Sequence, residues 1–330
     1  MKARVWLAVL TAVGLVTGAI LLAVTSRSNA RAFHEIRLPN RTDVPVAIAA
    51  APDGTVWFTL ESSDAIGRLR DGQVHRIRKG VQSIEPLGLA VDVEGRAWYT
   101  EAPKQSISRA SPDGAIASFA LSTPVARLGR LAVGPDSSVW FAESTVMSVT
   151  RLREGRFTRH VMGTLAAKVP ADAPPFGVAI APDGAVWATL PSSDQLLRIA
   201  PDGSTTAFEV PTRRSGLGDI AVAADGSVYF LEMSANKIGR LAGGRFDEFA
   251  VPTPKAGLIA LAVAPDGAAW FTELRGHRVG RLRGGTVTEF ELPRPDARPF
   301  GIAVDGANNV WYSDLGGWLG RLDASRARGR

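Results

Sequence analysis

The sequence predicts an all-β fold, a seven-bladed β-propeller of four-stranded antiparallel blades, and three observations predict it. An aromatic landmark recurs at Trp57, Trp98, Trp140, Trp187, Tyr229, Trp270 and Trp311, at spacings of 41, 42, 47, 42, 41 and 41 residues. An arginine follows each landmark by eleven residues, at Arg68, Arg109, Arg151, Arg198, Arg240 and Arg281, and by ten at Arg321. Within each period, short apolar or alternating runs are separated by turn residues, as in Ala262 to Pro293 with its Asp266-Gly267 and Gly284-Gly285 turns. A repeat of about 40 to 45 residues with four strands and an aromatic per unit marks a propeller blade, while helical repeats of that length need a 3.6-residue apolar period. That period is missing here.

The first 32 residues have a basic start at Lys2 and Arg4, an apolar run from Val5 to Val24, and Ala30-Arg31-Ala32 before Phe33. This is the pattern of an export signal with an A-x-A cleavage site, and a run of about twenty apolar residues is also long enough to remain as a membrane anchor. Both readings place the propeller, residues 33–330, outside the cytoplasm. It is expected to be periplasmic or secreted, or tethered to the inner membrane by residues 5–24, with no other membrane contact.

Outer strands follow six landmarks, at 74–79, 116–121, 157–162, 206–211, 246–252 and 287–293, and none follows the seventh. Phe33-His-Glu-Ile-Arg-Leu-Pro39 reads like Phe290-Glu-Leu-Pro293. Residues 33–39 are therefore expected to supply the outer strand of the last blade, closing the ring and removing its open edge.

Composition fits a single large core and a monomer. No cysteine occurs, which excludes disulfides, a thiol nucleophile and thiolate metal sites. Of the formal net charge of +6, Lys2, Arg4, Arg27 and Arg31 supply four with no acid among them, leaving 6 − 4 = +2 for the propeller. That balance gives no support to a nucleic-acid partner. The cluster Arg326, Arg328, Arg330 reads as a solubilising end.

The innermost strands are small apolar runs such as Leu89-Ala90-Val91 and Val178-Ala179-Ile180, suited to a crowded tunnel wall. The landmark aromatics are expected to pack between adjacent sheets. Carboxylates recur three residues past the landmark at Glu101, Glu143, Glu232, Glu273 and Asp314, with Leu60 and Leu190 interrupting the series. Placing the hairpin turn near offset seven makes each acid face the arginine at offset eleven as a cross-strand ion pair; a ring of acids binding metal is the competing reading. His34, His75 and His160 fall in outer strands, where solvated imidazoles are expected, and His277 falls in a turn. No spacing suits a zinc site, and no G-x-S-x-G or P-loop occurs. The 47-residue interval puts extra residues in Val161 to Pro175, either a lid or simple drift.

Phe271-Thr-Glu273, Val279-Gly-Arg-Leu282, Thr288-Glu-Phe290 and Pro299-Phe-Gly-Ile302 make the chain from 33 to 330 similar to the streptogramin (virginiamycin B) lyase family. The resemblance implies a seven-bladed propeller, and an activity in which a cyclic depsipeptide is linearised by elimination with a bound magnesium ion. It also implies a reactive set: histidines at the positions of Ile259 and Phe300, a glutamate at that of Arg298, and a metal-binding glutamate at that of Leu315, beside Asp314. Isoleucine, phenylalanine and arginine supply neither a general base nor a magnesium shell.

The equivalent mouth positions through the blades are Val46, Leu87, Gly129, Phe176, Gly218, Ile259 and Phe300, all apolar or glycine, with Glu85, Arg127 and Arg298 two residues earlier. The expectation is a recognition propeller that needs no cofactor and takes a small apolar or peptide ligand, or an envelope protein. Leu87, Arg127, Phe176, Ile259, Arg298 and Phe300 would form its binding face. The alternative is a divergent carbon–oxygen lyase or lactone-opening enzyme using Glu85 or Asp314 with Mg.

Overall fold

The computed structural model describes residues 32–84, 86–122, 127–323 and 325. The export or anchor segment up to 31, Glu85 and the basic tail from 326 lie outside the described residues. Those described form seven four-stranded antiparallel sheets. In blade 1 the strands run Val44–Ala50, Val56–Glu61, Ala65–Arg70 and Gln73–Arg78 from the axis outwards. The inner strands of blades 2 to 7 are Leu89–Val91, Leu128–Val133, Val178–Ile180, Leu217–Val222, Leu258–Val263 and Pro299–Val304. Each packs against the next, and that of blade 7 against that of blade 1, so the ring is closed.

Closure uses the strand that the sequence assigns to it. Phe33–Arg37 pairs with Trp318–Asp323 in the register Phe33↔Leu322 to Arg37↔Trp318, completing blade 7 from outside. The Tyr312 hydroxyl donates to Glu35 Oε1 at 2.9 Å, and Arg294 bridges Glu35 Oε2 at 3.1 Å. Phe33 packs edge-on against Tyr312 and is buried, as is Leu38.

Local chemistry explains the recurring motifs. In the inner hairpin of blade 1, the Asp53 carboxylate accepts from Thr55 N at 3.0 Å while Gly54 takes φ +81°, a conformation that favours glycine. The glycine of the Val-Gly-Arg-Leu run has a different cause. Phe58, Phe230, Phe271 and Tyr312 lie flat on Gly67, Gly239, Gly280 and Gly320 across the strand pair, and a Cβ there would sit about 2 Å from the ring. Bulky side chains at these positions would drive the aromatic out of the core.

The expected acid–arginine pairing across the hairpin is not what forms. Trp57 pairs with Arg68, Trp270 with Arg281 and Trp311 with Arg321, so the arginine faces the landmark aromatic itself. The guanidinium carbons lie 5.2 to 5.9 Å from the ring centroids in six of the blades. The error is one of hairpin arithmetic. The turn is centred between offsets five and six, so Glu101 opposes Ser106 and Glu273 opposes Arg278.

Residues 161–175 form a strap rather than a lid. Met162, Val169 and Ala173 are buried against blade 4. Ala167 N donates to Thr205 Oγ1 at 3.0 Å and Gln195 Nε2 to Lys168 O at 3.2 Å.

Deleting residues 33–39 removes Phe33, Leu38 and a whole strand ladder. Burial of two large apolar side chains is worth about 4 kcal/mol, and a loss of that size lowers Tm by about 10 °C in a domain this large. Differential scanning calorimetry of the truncated chain should show it; an unchanged Tm would contradict the closure.

Candidate functional site

The mouth lies where the chain enters each inner strand, and a bulge shapes it. Register shifts fall at Pro45/Ile48, Leu128/Leu131, Leu217/Ile220, Leu258/Leu261 and Pro299/Ile302. The mouth positions Val46, Gly129, Gly218, Ile259 and Phe300 are each the first of the two bulged residues, and bulges re-aim side chains in this way.

A hydroxyl two residues past the landmark fills most of these bulges and ties one blade to the next. Thr59 Oγ1 accepts from Ala47 N at 2.9 Å and donates to Pro86 O at 2.8 Å in blade 2. Thr189 links Gly177 N to Gly218 O, Thr272 links Ala260 N to Phe300 O, and Ser313 links Gly301 N to Val46 O. Backbone carbonyls around the aperture are thereby engaged in holding the ring.

Blades 3 and 5 have Ala142 and Leu231 instead of the hydroxyl, and charged residues take over the second bulge position. The Asp219 carboxylate accepts from Leu261 N of blade 6 at 3.0 Å, doing the work of the missing hydroxyl. Arg130 crosses the bore towards it: Nη2 lies 3.5 Å from Asp219 Oδ2 and donates to Ile259 O at 3.2 Å, while Nη1 donates to Leu87 O at 3.2 Å. One side chain thus joins blades 2, 3, 5 and 6 just beneath the aperture. Sequence reasoning stopped at the mouth positions and missed this pair. The signal was one residue further on, where Ala47, Gly88, Gly177, Ala260 and Gly301 are all small and only Arg130 and Asp219 are ionisable.

Of the expected binding residues, Leu87, Phe176, Ile259 and Phe300 are half-buried and line the aperture, whereas Val46 is buried. Leu87, Phe176 and Ile259 converge on Arg130 through their carbonyls, since Arg130 N donates to Phe176 O at 3.2 Å. Arg127 and Arg298 are exposed, and Arg298 Nη2 donates to Leu315 O at 3.1 Å. Next to Ile259, between blades 5 and 6, is a cavity of about 410 Å³ walled by Met233, Leu274, Lys255 and Arg275. No carboxylate lines it.

The five carboxylates at offset three are buried, and they are neutralised in two ways. Glu101 meets Lys79 at 3.1 Å, Glu143 accepts both ends of the Arg159 guanidinium at 3.0 and 3.1 Å, and Asp314 meets Arg294 at 2.6 Å. Asp314 also accepts from Arg298 N at 2.8 Å and Gly316 N at 2.6 Å, which leaves little of its coordinating capacity free. In blades 5 and 6 the cation goes elsewhere. Lys237 binds Glu248 at 2.8 Å, and Thr253 donates from its backbone and hydroxyl to Glu289, while neither oxygen of Glu232 or Glu273 meets a donor. Burial, reinforced by the Glu248 carboxylate, pushes the Glu232 carboxyl up to about 7. Burial and the Glu289 carboxylate push Glu273 up to about 8. Among the described residues no three His, Cys, Asp or Glu side chains gather as a metal site.

A family model described as the virginiamycin B lyase family matches residues 23–169 and 153–327. A virginiamycin B lyase of Nocardia farcinica (strain IFM 10152) is 32% identical over 198 residues, covering 60% of this chain and 66% of that protein. A structure of a catalytically inactive virginiamycin B lyase from Staphylococcus aureus with quinupristin superposes with a TM-score of 0.81 at 26% identity, covering 88% of this chain and 98% of that one. A streptogramin B lyase structure gives 0.81 at 25% identity, covering 88% and 96%.

The two unpartnered glutamates make stability fall as pH rises. Between the ordinary value of 4.5 and about 7 for Glu232, or about 8 for Glu273, the folded chain holds protons that the unfolded chain has released. Their stabilising contribution is complete below 4.5 and is lost through that window, at about 1.4 kcal/mol per pH unit and proton. In thermal melts from pH 5 to 8.5, the Glu232→Gln/Glu273→Gln variant should lose less Tm than the wild type. Parallel slopes would show that both carboxyls are ionised throughout.

Proposed function

The chain belongs to the virginiamycin B lyase family, and from that premise we propose that it uses the family's mouth to bind a small apolar or peptide ligand without the lyase's elimination. An apolar aperture, Leu87, Phe176, Ile259 and Phe300, supplies the contact area. Arg127, Arg298 and the Lys255/Arg275 cavity surround it with exposed positive charge and favour a ligand that carries acceptor or anionic groups.

The observation that carries this reading is the state of Asp314. It is the acid nearest the position where the resemblance implies a metal-binding glutamate, and Arg294 and two backbone N–H groups already bind it. At the implied histidine and glutamate positions stand Ile259, Phe300 and Arg298. This donor set does not fit a magnesium ion, which demands near-octahedral oxygen ligation.

Family membership favours one other reading, a divergent ring-opening enzyme. Quinupristin is the discriminating probe. Incubated with the protein and magnesium, it should keep the chromatographic retention and fragmentation pattern of the cyclic compound in liquid chromatography with tandem mass spectrometry, since elimination opens the ring without changing its mass, and magnesium should not raise Tm. Linearised product would establish the enzyme reading. Because residues 1–32 read as an export segment, we place the propeller in the periplasm or outside the cell. N-terminal sequencing of the protein recovered from the cell envelope should begin at Phe33; a start at residue 1 would favour the anchor over the cleaved signal.

A further inference from the structure

A second candidate site lies at the other end of the strands, between blades 3 and 4, and it begins with one aromatic that differs from its six equivalents. Trp57, Trp98, Trp187, Tyr229, Trp270 and Trp311 are 0 to 9% exposed. Trp140 is only half-buried. In blades 2, 4 and 6 the landmark ring stacks on a phenylalanine of the outer strand, Phe119, Phe208 or Phe290. In blade 3 the stacking partner is His160, with centroids 5.3 Å apart and planes at 29°.

Two bonds that bridge the junction of blades 1 and 2 are directed elsewhere at this one. Between blades 1 and 2, Trp57 Nε1 donates to Gly95 O at 3.1 Å and Arg68 donates to Pro112 O. The equivalents of Gly95 and Pro112 in blade 4 are Gly184 and Pro201. Trp140 and Arg151 do not reach them. Trp140 Nε1 donates to Ser138 Oγ at 3.2 Å and Arg151 Nη2 to Asp136 Oδ2 at 3.4 Å, both within blade 3. Gly184 and Pro201 instead line a cleft of about 550 Å³, with Trp140 and His160 on the facing wall. That volume is in the range of small-molecule sites.

We propose that this cleft binds a neutral, flat heteroaromatic molecule, its ring inserted between the Trp140 indole and the Ile180–Pro201 wall. The indole face supplies stacking, worth about 1 to 3 kcal/mol for a heteroaromatic ring on an aromatic side chain. His160 supplies a polar edge. Burial, with Arg151 adding to it, lowers its pKa from the ordinary 6.5, so the imidazole is neutral near pH 7 and offers one donor and one acceptor. Charge at the rim is balanced: Arg151 and Arg153 both face Asp136, and Asp202 completes two cations against two anions. An ionic ligand would gain nothing from that balance, whereas a neutral ring with donors and acceptors on its edge matches it.

Riboflavin is a suitable probe, being neutral, flat and fluorescent, with emission quenched when it stacks on indole. Titrating the full-length protein should quench riboflavin saturably. Trp140→Leu should weaken binding by about tenfold or more. Thr158→Trp, which fills the cleft from an exposed lining position without touching the core, should do the same, and Phe300→Ala at the mouth should leave the affinity unchanged. Absence of saturable quenching, or undiminished affinity in Thr158→Trp, would overturn the proposal. Loss of binding in Phe300→Ala would also overturn it, by placing the ring at the mouth.

Discussion

Each blade is a sheet with apolar residues on both faces, and only its two neighbours can cover them. A linear array would leave one face of the first and one of the last in water. Closure is therefore the constraint on which the rest depends, and the chain meets it by holding Phe33–Arg37 against Trp318–Asp323 with Glu35 bound by both Tyr312 and Arg294. Arg294 also binds Asp314 and lies 4.7 Å from the Trp318 ring, so one guanidinium couples the closing strand to the Asp314 carboxylate. Closure and the electrostatics of that carboxylate are one arrangement.

The mouth inherits its character from how neighbouring blades are joined. Hydroxyls at Thr59, Thr189, Thr272 and Ser313 enter the bulges and engage carbonyls of the next blade. Where the hydroxyl is missing, Asp219 receives a backbone N–H in its place, and a buried carboxylate needs a cation or several donors. Arg130 supplies the cation, and its Nη1 and Nη2 donate to Leu87 O and Ile259 O, while its buried Nε meets no acceptor. The aperture above is thus lined by apolar side chains, with a polar floor whose main charges are paired.

Much of this was legible in the sequence. Blade number, strand order and closure follow from a period repeated seven times, because each repeat must solve the same packing problem with the same residues. What the period could not give was departures from it. Hairpin register hangs on the turn centre, and an error of about one and a half residues assigned the arginines to the acids rather than to the aromatics. Arg130 and Asp219 are single departures at a position that is otherwise small, and their meaning appears only when blades 3 and 5 face each other across the bore. Trp140 looks like its equivalents in the chain. Its exposure appears only in three dimensions, beside a cleft where its hydrogen bond and that of Arg151 both stay within blade 3. His160, expected to be solvated, is half-buried because its imidazole stacks on the indole.

The groups that hold the ring and those that line the aperture are different atoms of the same strands. Ile259 and Phe300 contribute to the joints through carbonyl oxygens, which accept from Arg130 and Thr272 whatever side chains they carry. Arg298 contributes its backbone N–H to Asp314. Substitution at these positions leaves the joints in place, so the aperture can change chemistry without threatening closure. Stability is instead concentrated at positions away from the aperture, such as Gly67, Gly239, Gly280 and Gly320, where no side chain fits beneath the packed ring. A propeller built this way conserves its shape through the backbone and the glycines, and leaves the reactivity of its mouth free to diverge.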